Sequence, residues 1–237
     1  SNGTVSAILG GSGALNKTTA NTVTLSGSNT YTGVTTISDG TLSISGSINA
    51  STTVNVNGGL LSTTGVDKLA NAAAVTVAGG TLTVDGADTV STLTMSSGAI
   101  GGSGTLTATT YGLSGGTVTG NLGGGTMNVT GTVALNGTAA ATAVNVTAGT
   151  LTLGSADRLA DGATVAVSGG TLAMAFDDTV GAVTLSSGTI SGAGTLTGSS
   201  YVLTNTGTIS VNLGSSTAGL TKTGAGTATL SGNHAYS

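Results

Sequence analysis

The amino-acid sequence predicts an all-β fold, a right-handed parallel β-helix (β-solenoid) with about 20 residues per turn. Three observations predict this fold: an internal repeat at a fixed distance, runs in which apolar and small polar residues alternate, and glycine pairs that separate those runs. We expect residues 1–237 to form a single solenoid segment.

The internal repeat is the first observation. Residues 54–118 align with residues 144–208 at a constant shift of 90, so that Val54 falls on Val144. A shorter period lies within each copy, because apolar residues return after 21, 18 and 20 residues. In the first copy these positions are Val54, Val75, Leu93 and Leu113. A period of about 20 residues is typical of one solenoid turn.

Alternation within each turn is the second observation, and the glycine pairs are the third. In VTVAGGTLTVDG, residues 75–86, apolar residues occupy alternate positions on both sides of Gly79 and Gly80. A period of two is typical of β-strands, and glycine permits the positive-φ corners that β-branched residues resist. The segment DKLANAAA, residues 67–74, predicts a loop or at most one helical turn.

The end of the sequence repeats its beginning. Residues 220–237 align with residues 15–32 at a shift of 205, which places Leu220 on Leu15 and Tyr236 on Tyr31. This alignment predicts that a further tandem unit starts within residues 220–237.

Composition excludes several classes of function. Charged residues are 5% of the chain, with Lys+Arg 4 against Asp+Glu 8, so there is little cationic surface to neutralise a phosphate backbone. We therefore expect no nucleic-acid partner. No apolar run reaches the length of about 18 residues that a membrane-spanning helix needs. With 38% hydrophobic residues, the chain is also unlike a disordered segment.

Candidate catalytic residues are few. Asp177 and Asp178 form a carboxylate pair of the kind that glycosidases use. The corresponding residues of the first repeat are Ala87 and Asp88, and the one histidine is His234. Glycine runs such as GGSG lack the aspartate of calcium-binding repeats and the lysine of phosphate-binding loops. We therefore expect no catalytic site, no cofactor and no metal site.

An acidic residue followed by a basic residue recurs in both long repeats. Asp67 and Lys68 in the first copy correspond to Asp157 and Arg158 in the second. These pairs indicate a loop ion pair or a turn-forming aspartate, and a ligand contact is the alternative.

Four tyrosines occupy similar places in their repeats. One amphipathic ring per long unit is typical of a residue that covers the core, and an exposed ring that stacks on a sugar is the alternative. The candidate ligand contacts are Tyr31, Tyr111, Tyr201 and Tyr236.

Threonine triplets of the form Thr-x-Thr raise a second possibility. Stacked in register on a flat face, they would form an ice-binding or glycan-binding surface, although any half-buried strand shows the same alternation. The triplets begin at Thr22, Thr81, Thr92, Thr105, Thr117, Thr150 and Thr195.

The two ends of the chain, joined, carry a family resemblance. The C-terminal LTKTGAGTATLSGNHAY followed by the N-terminal YTGVTTISDGTL resembles the autotransporter-associated β-strand repeat of bacterial passenger domains. The first copy departs from the motif, with Thr19 and Asn21 where two glycines belong. The matching residues are Lys222, Gly224, Gly226, Thr227, Leu230, Gly232, Asn233, Tyr236, Tyr31, Gly33, Thr35, Ile37, Gly40, Thr41 and Leu42.

The resemblance implies a non-enzymatic β-solenoid at the bacterial outer surface or outside the cell, acting as an adhesin stalk or a matrix fibre. A filament subunit that joins end to end is one alternative, and an ice-binding or glycan-binding solenoid with a flat threonine or tyrosine face is another. The expected partners are further copies of the chain and cell-surface glycans.

Overall fold

The computed structural model describes residues 2–236, which form parallel β-strands and contain no helix. The predicted all-β parallel β-helix is confirmed, with about 18 residues per turn. Two compact units are present, the first ending at Gly123 and the second beginning at Gly124.

The first unit contains eleven of the strands found among residues 2–236. They are β1 (Gly3–Val5), β2 (Leu15–Lys17), β3 (Thr22–Leu25), β4 (Thr35–Ile37), β5 (Thr41–Ile44), β6 (Thr53–Val56), β7 (Leu60–Thr64), β8 (Ala74–Asp85), β9 (Ala87–Gly101), β10 (Thr105–Val118) and β11 (Asn121–Leu122).

Successive turns of the first unit stack strand on strand and define three faces. On the first face β2, β4, β6 and β8 follow one another. On the second face β3, β5, β7 and the later half of β8 do the same. The long strands β9 and β10 bend around the corners and extend onto a third face, where β11 pairs with the start of β10.

The register of the first face corrects one detail of the predicted period. Val54 pairs with Val75, and Val75 pairs with Leu93. The partner of Leu93 is Tyr111, however, whereas Leu113 pairs with Met95. The interval after Leu93 is therefore 18 residues, from 93 to 111, and not 20. Tyr111 and Leu113 point to the same side of one strand, so alternation alone does not show which of them pairs with Leu93.

The second unit has the same three-faced arrangement. Its strands are β12 (Thr126–Leu135), β13 (Ala143–Val146), β14 (Thr150–Leu153), β15 (Thr164–Met174), β16 (Asp178–Ser191), β17 (Thr195–Leu203), β18 (Gly207–Ile209), β19 (Asn212–Leu213), β20 (Leu220–Lys222) and β21 (Ala228–Leu230). All of the recorded strand pairings in this unit are parallel.

The core of each unit consists mainly of inward ladders of aliphatic side chains. On the second face of the second unit, Val133, Leu151, Leu172, Ile190 and Ile209 stack in consecutive turns, and none is more than 1% exposed. Burial of each such side chain stabilises the fold by roughly 1.5–3 kcal/mol. The period of two in the sequence therefore places every second residue in the core.

The corners of the turns require glycine. Gly98 adopts a φ of 88°, which L-residues with side chains rarely adopt. A Cβ at Gly98 would also overlap the carbonyl oxygen of Gly80 in the preceding turn. Close backbone stacking at such corners explains why glycine separates the apolar runs.

Residues 67–73 form a loop, as predicted, and Ala74 begins β8. The loop contains an isolated β-bridge between Leu69 and Ile48 and a turn closed by the bond from the Ala73 N–H to the Ala70 carbonyl. None of residues 2–236 belongs to a helix that could cross a lipid bilayer.

Candidate functional surfaces

A buried carboxylate in the first unit holds the loop of the preceding turn. Asp88, only 2% exposed, lies at the start of β9. Its Oδ2 accepts the backbone N–H groups of Lys68 and Leu69, each at 3.1 Å, and its Oδ1 accepts the N–H of Thr89 at 3.0 Å. The carboxylate therefore replaces strand pairing at a place where the chain forms a loop.

The second unit repeats this arrangement with Asp178, also 2% exposed. Its Oδ2 accepts the N–H groups of Arg158 at 2.9 Å and Leu159 at 3.2 Å. Its Oδ1 is buried and has no hydrogen-bond partner among the described residues. The two sites thus share the loop contact and differ at the second carboxylate oxygen.

Burial raises the pKa of both carboxyl groups from 3.8 to about 6. The backbone N–H donors act in the opposite direction and lower the pKa of each group. The negative charge of Asp67 raises the pKa of Asp88 further, and Asp157 and Asp161 do the same for Asp178. Desolvation is the largest effect, because both side chains lie inside the solenoid.

The acid–base pairs of the two loops form turns. Asp67 and Asp157 adopt left-handed backbone conformations, with φ of 53° and 52°. Arg158 donates from Nε to the Ala156 carbonyl and from Nη1 to the Asn136 carbonyl, both at 2.9 Å. These conformations agree with the predicted turn-forming role of the two aspartates. A ligand contact at these loops stays a prediction.

Tyr111 and Tyr201 lie in the core, at 0% and 1% exposure. The Tyr201 hydroxyl accepts the N–H of Gly198 at 2.8 Å and lies within donating distance of the Leu196 and Gly214 carbonyls, at 2.8 and 3.0 Å. The Tyr111 hydroxyl makes the corresponding contacts with Ala108, Leu106 and Gly123. Each hydroxyl therefore connects two successive turns from inside the core.

Tyr31 and Tyr236 have different surroundings. Tyr31 is 2% exposed, and its hydroxyl lies 2.7 Å from Thr35 Oγ1. Tyr236 is half-buried, with its ring edge-on to Tyr201 at a centroid distance of 6.4 Å. The expected similarity of all four tyrosines therefore holds for Tyr111 and Tyr201 but not for Tyr31. Ligand contact by the four rings stays a prediction, and three of them would have to leave the core to make it.

The prediction that Asn233 is a residue of the C-terminal motif is wrong. The asparagine position belongs to His234 and not to Asn233, since Gly232 and Tyr236 align with Gly27 and Tyr31. The structure agrees: Asn29 Oδ1 accepts the N–H of Leu9 at 3.0 Å, and His234 Nδ1 accepts that of Leu213 at 3.3 Å. An imidazole nitrogen thus replaces the amide oxygen as the acceptor.

The motif lysine caps backbone carbonyls. Lys17 is 4% exposed, and its Nζ donates to the carbonyls of Thr19 and Asp39, the latter at 3.1 Å. The corresponding Lys222 is exposed and donates to Thr223 and Gly224 within its own turn. The lysine of this motif therefore satisfies loop carbonyls in both copies.

An uninterrupted outward ladder of threonines lies on the second face of the second unit. Six consecutive turns place a threonine at the same register position, each half-buried or exposed. The corresponding row of the first unit is interrupted by Leu60 and Ala99. The members of the ladder are Thr132, Thr150, Thr171, Thr189, Thr208 and Thr229.

The Thr-x-Thr triplets that the sequence suggested are divided among the faces. In the first unit, those at Thr22, Thr81 and Thr117 lie on the second face and Thr92 lies on the first; in the second unit, Thr150 lies on the second face. Thr105 and Thr195 begin strands of the third face. The triplets therefore do not form one surface. The threonine ladder becomes visible only from the register in which the strands pair.

Comparison with known protein families finds one repeat that matches part of the chain. The model of the passenger-associated-transport-repeat matches residues 15–44 and 220–237. This match confirms the resemblance to an autotransporter passenger repeat that the motif residues suggested. No curated protein and no solved structure matched the chain. The chain is thus a β-solenoid in which residues 15–44 and 220–237 match the passenger-associated-transport-repeat.

Proposed function

We propose that this solenoid works outside the bacterial cell or on its surface, without catalysis, as the stalk of an adhesin or as a fibre of the extracellular matrix. The observation that carries the proposal is the match of the passenger-associated-transport-repeat to a chain built of stacked parallel turns. In this role the chain holds other groups at a distance from the cell and associates with further copies or with surface glycans.

The construction of each unit supports a mechanical role. Within each unit, successive turns pair through backbone hydrogen bonds, and the core ladders consist mainly of buried aliphatic side chains. With charged residues at 5% of the chain, few side chains repel their equivalents in the next turn. Rows of outward hydroxyl groups offer many weak contacts, which sum to useful binding when they act together.

Surface labelling of living cells tests the proposal. An antibody raised against the purified chain should label intact cells of the source bacterium or the material around them, and protease added from outside should remove the label. An antibody against a cytoplasmic protein serves as the control and should label only permeabilised cells. Labelling by the chain's antibody that requires permeabilisation would contradict an external location.

A second function is favoured by the threonine ladder. Parallel strands lie about 4.8 Å apart, so the six threonines present hydroxyl and methyl groups at a regular interval along one flat face. The row of small side chains two residues further along, which includes Thr152, Ala173 and Ser191, leaves that face unobstructed. The regular interval of the threonine side chains suits a ligand that presents its own O–H groups in an ordered array, such as the water molecules of ice.

The double variant Thr150→Lys/Thr189→Lys tests this second function. Two long charged side chains should disrupt the flat face and abolish inhibition of ice recrystallisation by the wild-type chain. Thr184→Lys on the first face, also at a half-buried outward position, is the matched control and should retain the activity. Equal activity of all three proteins, or none in the wild type, would contradict ice binding, and retention on crystalline cellulose would indicate a glycan instead.

A further inference from the structure

The two buried carboxylates form a duplicated device that the proposed function does not use. Asp88 and Asp178 correspond at the shift of 90 between the long repeats, and each contacts two backbone N–H groups of the preceding turn. Each contacted loop begins next to an aspartate in the left-handed conformation. The same buried group therefore holds the same kind of loop in both units.

We propose that Asp88 and Asp178 are proton-operated latches, each of which holds the loop of the preceding turn and stabilises its unit when it takes up a proton in mildly acidic solution. This inference is independent of the proposed function, because it concerns only the stability of the units. The latched segments are residues 65–73 in the first unit and 155–163 in the second.

The charges around each latch favour uptake of a proton. The charge of Asp67 raises the pKa of Asp88, and the end of the Lys68 side chain, Cε and Nζ, lies beside Gly65. Asp157 and Asp161 act on Asp178. Asp177 is engaged elsewhere, since its Oδ1 accepts the N–H of Thr195 at 2.7 Å.

The nearest cation of the second latch is directed away from it. Arg158 binds Asp178 through its backbone N–H, whereas its guanidinium donates to the carbonyls of Ala156 and Asn136. The unpartnered Oδ1 of Asp178 provides a place for the added proton, because no donor among the described residues faces it. An ionised Asp178 would therefore carry a buried charge balanced only by backbone dipoles.

The direction of the pH dependence follows from linkage. An aspartate in the unfolded chain has a pKa of about 3.9, below the value of about 6 in the folded units. Between these values the folded state holds a proton that the unfolded state has lost, so stability falls as pH rises and then becomes constant above the folded pKa. Each latch should raise the unfolding equilibrium constant about tenfold per pH unit within that window.

Two measurements on the wild-type chain test the latches. Carboxyl chemical shifts followed by NMR should show both groups titrating near pH 6. Denaturant unfolding at a series of pH values should show greater stability at pH 5 than at pH 7.5. Titration of both carboxyls near pH 4, or stability that does not change between pH 4 and 6, would overturn the proposal.

Asp178→Asn is the informative variant. The amide oxygen can accept the N–H groups of Arg158 and Leu159, and the NH₂ group takes the place of the unpartnered Oδ1. This variant should fold and lose the tenfold-per-unit dependence of the second unit. Asp161→Asn is the matched control, since it removes an exposed neighbouring charge; it should keep the slope and shift its midpoint to lower pH. Retention of the full slope by Asp178→Asn would contradict the assignment.

Hydrogen exchange distinguishes a latch from a group with only a structural role. Protection factors of the Arg158 and Leu159 amides in the wild type should decrease as pH rises from about 4 to about 6 and stay constant above pH 6, while those of strand amides such as Val165 change less. In Asp178→Asn the same two amides should show protection that is independent of pH. Uniform change across the whole unit would argue against a local latch.

Discussion

Replacement of Gly104 by alanine is expected to destabilise the first unit by about 3 kcal/mol. A Cβ at Gly104 would overlap the carbonyl oxygen of Gly86 in the preceding turn. The backbone cannot retreat without breaking the bonds from the Gly104 N–H to the Val84 carbonyl at 2.9 Å and from the Thr105 N–H to the Gly86 carbonyl at 3.1 Å. Denaturant unfolding of the purified variant, followed by circular dichroism, measures the loss.

Gly162→Ala is the matched control for this substitution. A Cβ at Gly162 would meet no atom within 4 Å, and neither Gly104 nor Gly162 is among the positive-φ glycines. The control should change the free energy of unfolding by no more than about 1 kcal/mol, in the stabilising direction, because alanine restricts the unfolded chain. If both variants lost equal stability, close stacking of the turns would not explain the requirement for glycine.

Tyr201→Phe is expected to destabilise the second unit by about 2 kcal/mol. The substitution keeps the buried ring and removes the hydroxyl that accepts from Gly198 and bonds the Leu196 and Gly214 carbonyls. The Gly198 N–H then loses its recorded acceptor, and a buried donor without a partner costs more than an average hydrogen bond contributes. Thermal and denaturant unfolding at neutral pH provide the measurement.

Tyr236→Phe is the control for Tyr201→Phe. Tyr236 is half-buried and contacts Tyr201 through its ring, so loss of its hydroxyl should cost less than about 0.5 kcal/mol. A loss at Tyr201 no larger than at Tyr236 would mean that the hydroxyl contacts inside the core contribute little.

The fold was predictable because several levels of the sequence agree. The alternation in residues 75–86 defines the inward positions, Gly79 and Gly80 mark the corner within β8, and the shift of 90 repeats the pattern. Register was harder to predict, since an interval counted between apolar residues cannot tell Tyr111 from Leu113 on the same side of a strand. Because aromatic residues are unusual in a narrow core, the sequence pattern favoured the aliphatic Leu113 over Tyr111 as the residue that follows Leu93 in the ladder.

The latches were less predictable, although a signal was present. Asp88 and Asp178 recur at the shift of 90, and Lys68 and Arg158 precede them by 20 residues, about one turn. That spacing indicates contact between an aspartate and the loop before it. Burial of the carboxylates could not be inferred, because aspartates next to loops are mostly exposed. Their three-dimensional surroundings alone raise the pKa.

The stacking of each turn only on its neighbours has a genetic consequence. A duplication or deletion that spans a whole number of turns leaves every remaining strand with partners of the same register and side-chain pattern. Residues 15–32 and 220–237 are identical at 10 of 18 positions, as expected of segments that arose by such a duplication. Alleles of this gene in natural populations should therefore differ in length by whole repeats more often than by small insertions within a turn.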